Sequence, residues 1–493
     1  MGSKIRVLHI IPGFGGGISS HVRNIINGIN KDEVTIDVAG FTPYPDEFIA
    51  EVNNKCGKTF TLDNVRMLNR IKHEILSIAS LFVVFMYLFN LGIPIARLLN
   101  WVDDTGERFL ARRIYSMGND TFIQYMIYGY LLISMLQIGV LFYSGRMKKS
   151  STEYVDWSNA NYNIQLQRCK ITGMICILIS IVPYFYGEIV YLKDALIFGY
   201  QNADSTFNLS GTGIGLIGNL FTVGVMLELV YLQNDRKKFD FLFFVLSAYQ
   251  VFRMYITGDR STGIALILVW ILIRHKFVNP IRGKRAVLYL FLAYVGMLFI
   301  KIVEMTRTIN SSSVDEAFAE LMQTNMLAET VFEYGGNAWC GMMVYYSVPA
   351  TGSFRCGLTY LAGIIGKPLS ILGITNNVWN FADFSIFLKE PARGALINSL
   401  TSAMGGSFSG EWYFNFGWLG IIIIPFFGYG LAKFSDLCTS KKNNPVLSGF
   451  LLYVATLVIW WVRQYFTSVS WSTLVYGVIV WIIYYVVVKK TSE

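Results

Sequence analysis

The chain has 493 residues, of which 54% are apolar and 15% charged, and its mean hydropathy is +0.46. Ordinary soluble domains carry about 25% charged residues, so this composition excludes a soluble globular protein and points to a polytopic membrane protein. The net charge of +9 follows from where the basic residues fall between apolar segments, and nucleic-acid binding is not needed to explain it.

Residues 1–72 stand apart from the apolar pattern. The run KIRVLHIIPGFGGGISSHVRNIINGINKDEVTIDVAGF reads as a strand over Arg6–Ile11, a glycine loop over Gly13–Gly17, an amphipathic helix over Ser19–Ile29 and a second strand over Val34–Ala39. That is the opening of a Rossmann-like α/β half-domain, in which glycines let the backbone approach a phosphate or sugar at a helix start. The stretch resembles the start of family 4 GT-B glycosyltransferases. Those enzymes bind a nucleotide sugar with a second Rossmann domain carrying paired glutamates, and apolar sequence begins here near Leu76. The expectation is a truncated or fused cytoplasmic fragment without catalysis. Residues 1–20 lack the unbroken apolar stretch of a cleavable secretory signal.

From residue 73 the chain reads as about ten membrane-length apolar segments of roughly twenty residues each. They are placed at 76–99, 121–144, 169–192, 209–233, 239–257, 261–276, 285–305, 413–433, 446–462 and 468–488. The fold class is therefore an all-α polytopic membrane protein with a small α/β fragment at its N-terminus. Basic residues alternate between connections. Arg146, Lys148, Lys149 and Arg168 fall on one side, followed there by Arg236–Lys238, by Arg274, Lys276, Arg282, Lys284 and Arg285, by Lys433, Lys441 and Lys442, and by Lys489 and Lys490. The intervening connections are acidic, mixed or poor in Lys. The positive-inside rule then places both termini in the cytoplasm and the long insert at 305–412 outside.

Cys169, Cys176 and Cys438 lie in or near spans and Cys56 in the N-terminal fragment, whereas Cys340 and Cys356 fall in the insert. Without a surrounding framework of paired cysteines, independent thiols are expected. No metal site is apparent and no cofactor is called for. The histidines, His9, His21, His73 and His275, all lie outside the insert.

The insert carries acids (Asp315, Glu316, Glu320, Glu329, Glu333, Asp383, Glu390, Glu411), arginines (Arg307, Arg355, Arg393) and many aromatic, Asn and Gly residues. Sugar recognition uses that mixture, because rings stack on apolar CH faces while carboxylates and amides bond hydroxyls. An interfacial aromatic belt accounts for part of the Trp and Tyr content. Residues 314–333 read as an amphipathic surface helix. Residues 405–417, GGSFSGEWYFNFG, read as a glycine-flanked re-entry that sets Glu411 at the mouth of a span, where a carboxylate is costly without a partner or a function. The connection Gly258-Asp259-Arg260-Ser261-Thr262-Gly263 places an arginine between two spans. It is a snorkelling anchor, the local partner of Asp259, or a bidentate donor to a lipid pyrophosphate.

The GDRSTG connection, the insert segments ETVFEYGGNAW and VPATGSFRCGLTYLAGI, and above all MGGSFSGEWYFNFGWLGIII resemble the O-antigen and capsular polysaccharide repeat-unit polymerases, the Wzy family, over most of residues 76–490. Glu411, Tyr413, Asn415, Phe416 and Gly417 stand at the positions of the family's acid and aromatic-rich NFG motif, while Trp412 replaces the small residue often found there. The resemblance implies a GT-C-like membrane glycosyltransferase. It would carry out inverting, metal-independent transfer between undecaprenyl-pyrophosphate-linked oligosaccharides at the outer face of the cytoplasmic membrane, beside a chain-length regulator and a flippase. Arg260 and Arg355, with Arg307 or Arg393, are expected to hold the donor pyrophosphate. Glu411, with Glu329 and Glu333 behind it, is expected to handle the acceptor hydroxyl, and Asn337, Tyr413 and Asn415 to contact sugar. Three other classes are weighed. Related O-antigen ligases place an essential histidine in the external loop, which here has none. A flippase or secondary transporter would show more spans and repeated halves, and no internal repeat is found. A structural partner of the assembly complex would have no reason to gather arginines and acids at the outer face.

Overall fold

The computed structural model describes residues 5–11, 34–40, 59–61, 76–98, 119–146, 160–198, 213–257, 260–281, most of 286–296, 326–349, 352–382, 387, 406–440 and 444–485. The chain divides into two compact units, Met1–Leu76 and Ser77–Glu493.

In the first unit, β1 (Ile5–Ile11), β2 (Val34–Gly40) and β3 (Thr59–Thr61) form a parallel sheet in that order. Ile5 pairs with Val34 and Ile11 with Gly40. These are the two strands expected from the β-branched runs, with a third beside them. Parallel neighbours require a crossover between them. The expected glycine loop and helix at Ser19–Ile29 lie outside the described residues.

The second unit is helical. Its elements are α1 (Ile78–Leu98), α2 (Asn119–Arg146), α3 (Ala160–Phe198), α4 (Gly213–Tyr231), α5 (Arg236–Thr257) and α6 (Arg260–Ile273). The insert contributes α7 (Met326–Gly335), α8 (Ala338–Ser347), α9 (Leu358–Ile371) and α10 (Asn377–Ala382). The chain then forms α11 (Phe408–Phe416), α12 (Gly420–Thr439), α13 (Pro445–Trp461) and α14 (Phe466–Ile482). Among the described residues, 6 stretches are long and apolar enough to cross a membrane: Asp120–Gly145, Tyr162–Ile197, Ile214–Asn234, Arg236–Thr257, Phe408–Thr439 and Phe466–Tyr485. Shorter apolar helices occupy Ile78–Ile93, Ala286–Gly296 and Pro445–Trp461. The chain is an all-α polytopic membrane protein in this unit.

The helix expected at 169–192 is longer, Ala160–Phe198, and two further boundaries near the insert differ from the sequence expectation. The span placed at 413–433 is α12, which begins seven residues and ends six residues further on, at Gly420–Thr439, because the chain breaks at Gly417 rather than running straight from the aromatic motif. The surface helix expected at 314–333 is α7 over Met326–Gly335, and residues 314–325 lie outside the described residues.

Small residues set how closely the helices approach, as expected where apolar burial cannot drive helix association. The α2–α12 pair is the clearest case. The backbone of Pro425 fills the space a Cβ on Gly139 would need, and the Leu136 carbonyl does the same at Gly428. A continuous core then forms around α1, α2, α8 and α11. It contains Phe82, Met86, Tyr125, Tyr128, Met342, Phe408, Trp412 and Trp461.

Candidate functional site

The site is built on α11, the short helix of the SGEWYFNF motif. Ser407 starts it, with extended backbone and a side-chain oxygen that accepts from the Gly410 amide at 3.3 Å. Gly417 ends it with φ 54° and ψ −142°, and the Phe354 ring stands 2.8 Å from where a Cβ would be. Every residue from Phe408 to Asn415 is buried.

Three neighbours grip this helix. On the first side lies the turn between α13 and α14. The Phe408 amide donates to the Val462 carbonyl at 3.2 Å. Glu411, only 1% exposed, accepts on Oε2 from Trp461 Nε1 at 2.8 Å and from the Phe466 amide at 3.1 Å. The same amide lies 3.2 Å from Oε1. A carboxylate in the first turn of a helix is also favoured by the helix dipole.

On the second side, α1 and α2 contribute a buried polar knot. The Tyr125 hydroxyl and Ser409 Oγ are 2.7 Å apart, Ser407 and Ser409 share a bond at 3.0 Å, and Ser409 also donates to Asn90 Oδ1. Asn90 Nδ2 donates to the Met86 carbonyl at 2.9 Å, so each member of the knot is satisfied.

On the third side lies the segment preceding α9. The Arg355 amide donates to the Phe414 carbonyl at 3.1 Å and the Cys356 amide to the Asn415 carbonyl at 2.7 Å. Thr359 Oγ1 donates to Asn415 Oδ1 at 2.8 Å, and Asn415 Nδ2 donates to the Glu411 carbonyl at 2.9 Å. The Arg355 guanidinium lies over two rings, Phe381 at 4.8 Å and Phe414 at 5.4 Å. Its Nε is buried without a hydrogen-bond partner among the described residues. Rings hold the group from the sides, and Nε stays uncommitted among the described residues.

Aromatic side chains fill the remaining space. Phe408, Trp412, Phe427 and Trp461 pack with centroids between 4.9 and 5.7 Å, and Tyr128, Tyr345 and Tyr413 form a second cluster. The Tyr360 ring packs on Phe466 at 5.0 Å. Burial, with the Glu411 carboxylate second, pushes the Tyr360 hydroxyl well above its usual value and keeps it neutral.

Of the residues singled out from the sequence, the structure brings together Glu411, Tyr413, Asn415 and Arg355. Tyr413 and Asn415 are buried and bonded within the protein, Tyr413 through its hydroxyl to the Val348 carbonyl at 3.4 Å. Glu333 is half-buried on α7, which packs on α1, and Asn337 follows it with Nδ2 buried and lacking a partner among the described residues. Arg260 opens α6, which packs on α5 and α13. The side chains of Arg260 and Glu329, and all of Arg307 and Arg393, lie outside the described residues. Cys340 is a buried free thiol and Cys356 an exposed one.

Sequence reasoning missed Trp461, Thr359, Phe381, Tyr125 and the two serines of the motif. Asn90 left a signal, an amide in the middle of the apolar run FMYLFNLGIP. Trp461 and Tyr125 left none, since either reads equally well as membrane-facing aromatic sequence.

Comparison with known proteins decides the class. A family model described as O-antigen polysaccharide polymerase Wzy matches residues 65–492. The chain belongs to this family. The match runs through the whole helical unit and leaves only the N-terminal segment before it. Searches of curated proteins and of solved structures return no match. As a Wzy polymerase the protein is a membrane glycosyltransferase that joins O-antigen repeat units, which sets aside the ligase and flippase alternatives.

Proposed function

We propose that this Wzy protein polymerises undecaprenyl-pyrophosphate-linked oligosaccharides at the outer face of the cytoplasmic membrane, with both termini inside. A chain-length regulator and a flippase are its expected companions. The acceptor hydroxyl attacks the anomeric carbon of the donor sugar, the bond to the pyrophosphate oxygen breaks with inversion, and the lipid pyrophosphate departs. No metal is assigned a role. The pyrophosphate is already a good leaving group, so catalysis requires cations for the charge that develops there and a carboxylate for the acceptor proton.

The observation that carries this reading is Arg355, a guanidinium held between Phe381 and Phe414 with Nε unpartnered among the described residues. Such a group is preorganised for a bidentate phosphate contact. Arg260, with Arg307 or Arg393, is proposed to complete the anion site. Glu329, Glu333 or Glu411 supplies the carboxylate, Asn337 offers its free amide to sugar, and Tyr413 and Asn415 support the wall.

Purified protein assayed with lipid-linked repeat units tests this. A charge-assisted bond contributes about 1.5–3 kcal/mol, so Arg355→Ala should lower kcat/KM by about 10- to 150-fold. Arg355→Lys should fall between, keeping charge while losing the fork. Wild-type rates in Arg355→Ala would remove Arg355 from the site. Reporter fusions test orientation: alkaline phosphatase should be active when fused within residues 340–400 and silent after residues 240 or 440.

A further inference from the structure

Glu411 was expected from sequence to orient or deprotonate the acceptor hydroxyl, but its surroundings in the fold are those of a fastener. The side chain is 1% exposed and its carboxylate accepts from Trp461 Nε1 and from the Phe466 amide. A general base must reach the proton it removes. This carboxylate is instead directed at the turn that joins α13 to α14, where the Phe408 amide also bonds the Val462 carbonyl.

From that anchor a continuous series of bonds leads to Arg355. The Glu411 carbonyl accepts from Asn415 Nδ2, the Asn415 side chain accepts from Thr359, and the carbonyls of Phe414 and Asn415 accept from the amides of Arg355 and Cys356. Arg355 sits beside a strained turn. Cys356 has φ 50° and Gly357 φ 79°, both in the left-handed region. A non-glycine residue persists there only where its surroundings hold it, and here the bond from the Cys356 amide to α11 supplies the hold.

We infer that Glu411 is a positioning residue: it pins α11 to the α13–α14 turn, and α11 in turn holds the Arg355–Gly357 turn and the Phe414 ring under the guanidinium. The inference rests on the reading that Arg355 binds the donor pyrophosphate, and it leaves the acceptor base to Glu329 or Glu333. A carboxylate buried this deeply needs its donors, so the device fails when either end is removed.

The experiment uses the full chain, purified, with lipid-linked repeat units as substrate and a thiol-reactive maleimide as a probe of Cys356. Among the described cysteines Cys356 alone is exposed, and Cys56→Ser removes the one outside them. Glu411→Gln and Trp461→Phe should each raise the KM for the donor by about tenfold, the scale of one charge-assisted bond, with a smaller change in kcat. Both should speed labelling of Cys356 and leave the acid limb of the pH–rate profile in place. In an Arg355→Ala background neither should lower activity further, because groups acting through one another are not additive. A fall in kcat of about 100-fold or more in Glu411→Gln, with loss of the acid limb and unchanged labelling, would make Glu411 the base and overturn the inference. If Arg355→Ala leaves the donor KM unchanged while Glu411→Gln still alters labelling, the pyrophosphate reading fails and the positioning role stands. Trp461→Phe keeps the carboxylate and so decides the matter if Glu411→Gln does not fold.

Discussion

Gly417→Ala should uncouple α11 from α12 at a cost that can be worked from the geometry. Gly417 has φ 54° and ψ −142°, outside the regions that L side chains adopt readily. Forcing alanine there costs roughly 1–3 kcal/mol in backbone strain. The new Cβ would also stand 2.8 Å from two carbons of the Phe354 ring, and overpacking of this kind typically costs about 1–3 kcal/mol more. The ring cannot yield freely, because Phe354 packs edge-on against Tyr413 at 5.6 Å. The expected loss is therefore about 2–6 kcal/mol, seen as a midpoint several degrees lower when purified protein is heated in detergent and followed by size-exclusion fluorescence. Gly430→Ala in α12 is the matched control. No heavy atom lies within 4 Å of its Cβ position, and alanine should be neutral or stabilising there by about 0.5–1 kcal/mol. Equal melting of Gly417→Ala and wild type, or equal losses at both glycines, would refute the argument.

Two further outcomes follow from other parts of the chain. Arg253 Nε bonds Glu188 Oε2 at 2.8 Å between α5 and α3, with side chains 13% and 15% exposed and the Tyr249 hydroxyl donating to the same oxygen. Glu188→Ala should cost about 3–5 kcal/mol by removing the carboxylate from a desolvated arginine, whereas the double change Glu188→Leu, Arg253→Met should recover most of it, as thermal midpoints in detergent would report. Deletion of residues 1–72, proposed as a separate cytoplasmic fragment ahead of a polymerase domain at 73–493, should leave a membrane-inserted protein that still makes polymer on a ladder gel. Loss of polymer at normal expression would assign the fragment a coupling role.

The helices of the second unit and the strands of the first were legible because their signals are local. Apolar length marks the spans, β-branched runs mark β1 and β2, and the glycines at 406 and 417 bracket α11. What could not be read depends on partners distant in sequence. Glu411 looks like an acid at a membrane mouth until Trp461 and Phe466, on a turn 50 and 55 residues later, are found to close on it. The shift of the span from 413 to Gly420 has the same origin, since α11 is tied by the Arg355 and Cys356 amides and Phe354 crowds Gly417, where the chain turns into α12.

The arginines of the helical unit separate structural charge from available charge. Arg253 is paired with Glu188, and Arg274 with Asp240 at 2.8 Å. In both cases a carboxylate offsets the desolvated guanidinium, as a structural pair within a membrane protein requires. Arg355 differs. Among the described residues it has aromatic faces in place of a carboxylate, and the acid nearest to it along the chain of bonds, Glu411, is directed at Trp461 and Phe466. Rings hold a cation in place without neutralising it. On the proposed reading, an arginine fixed this way keeps its charge for the donor pyrophosphate.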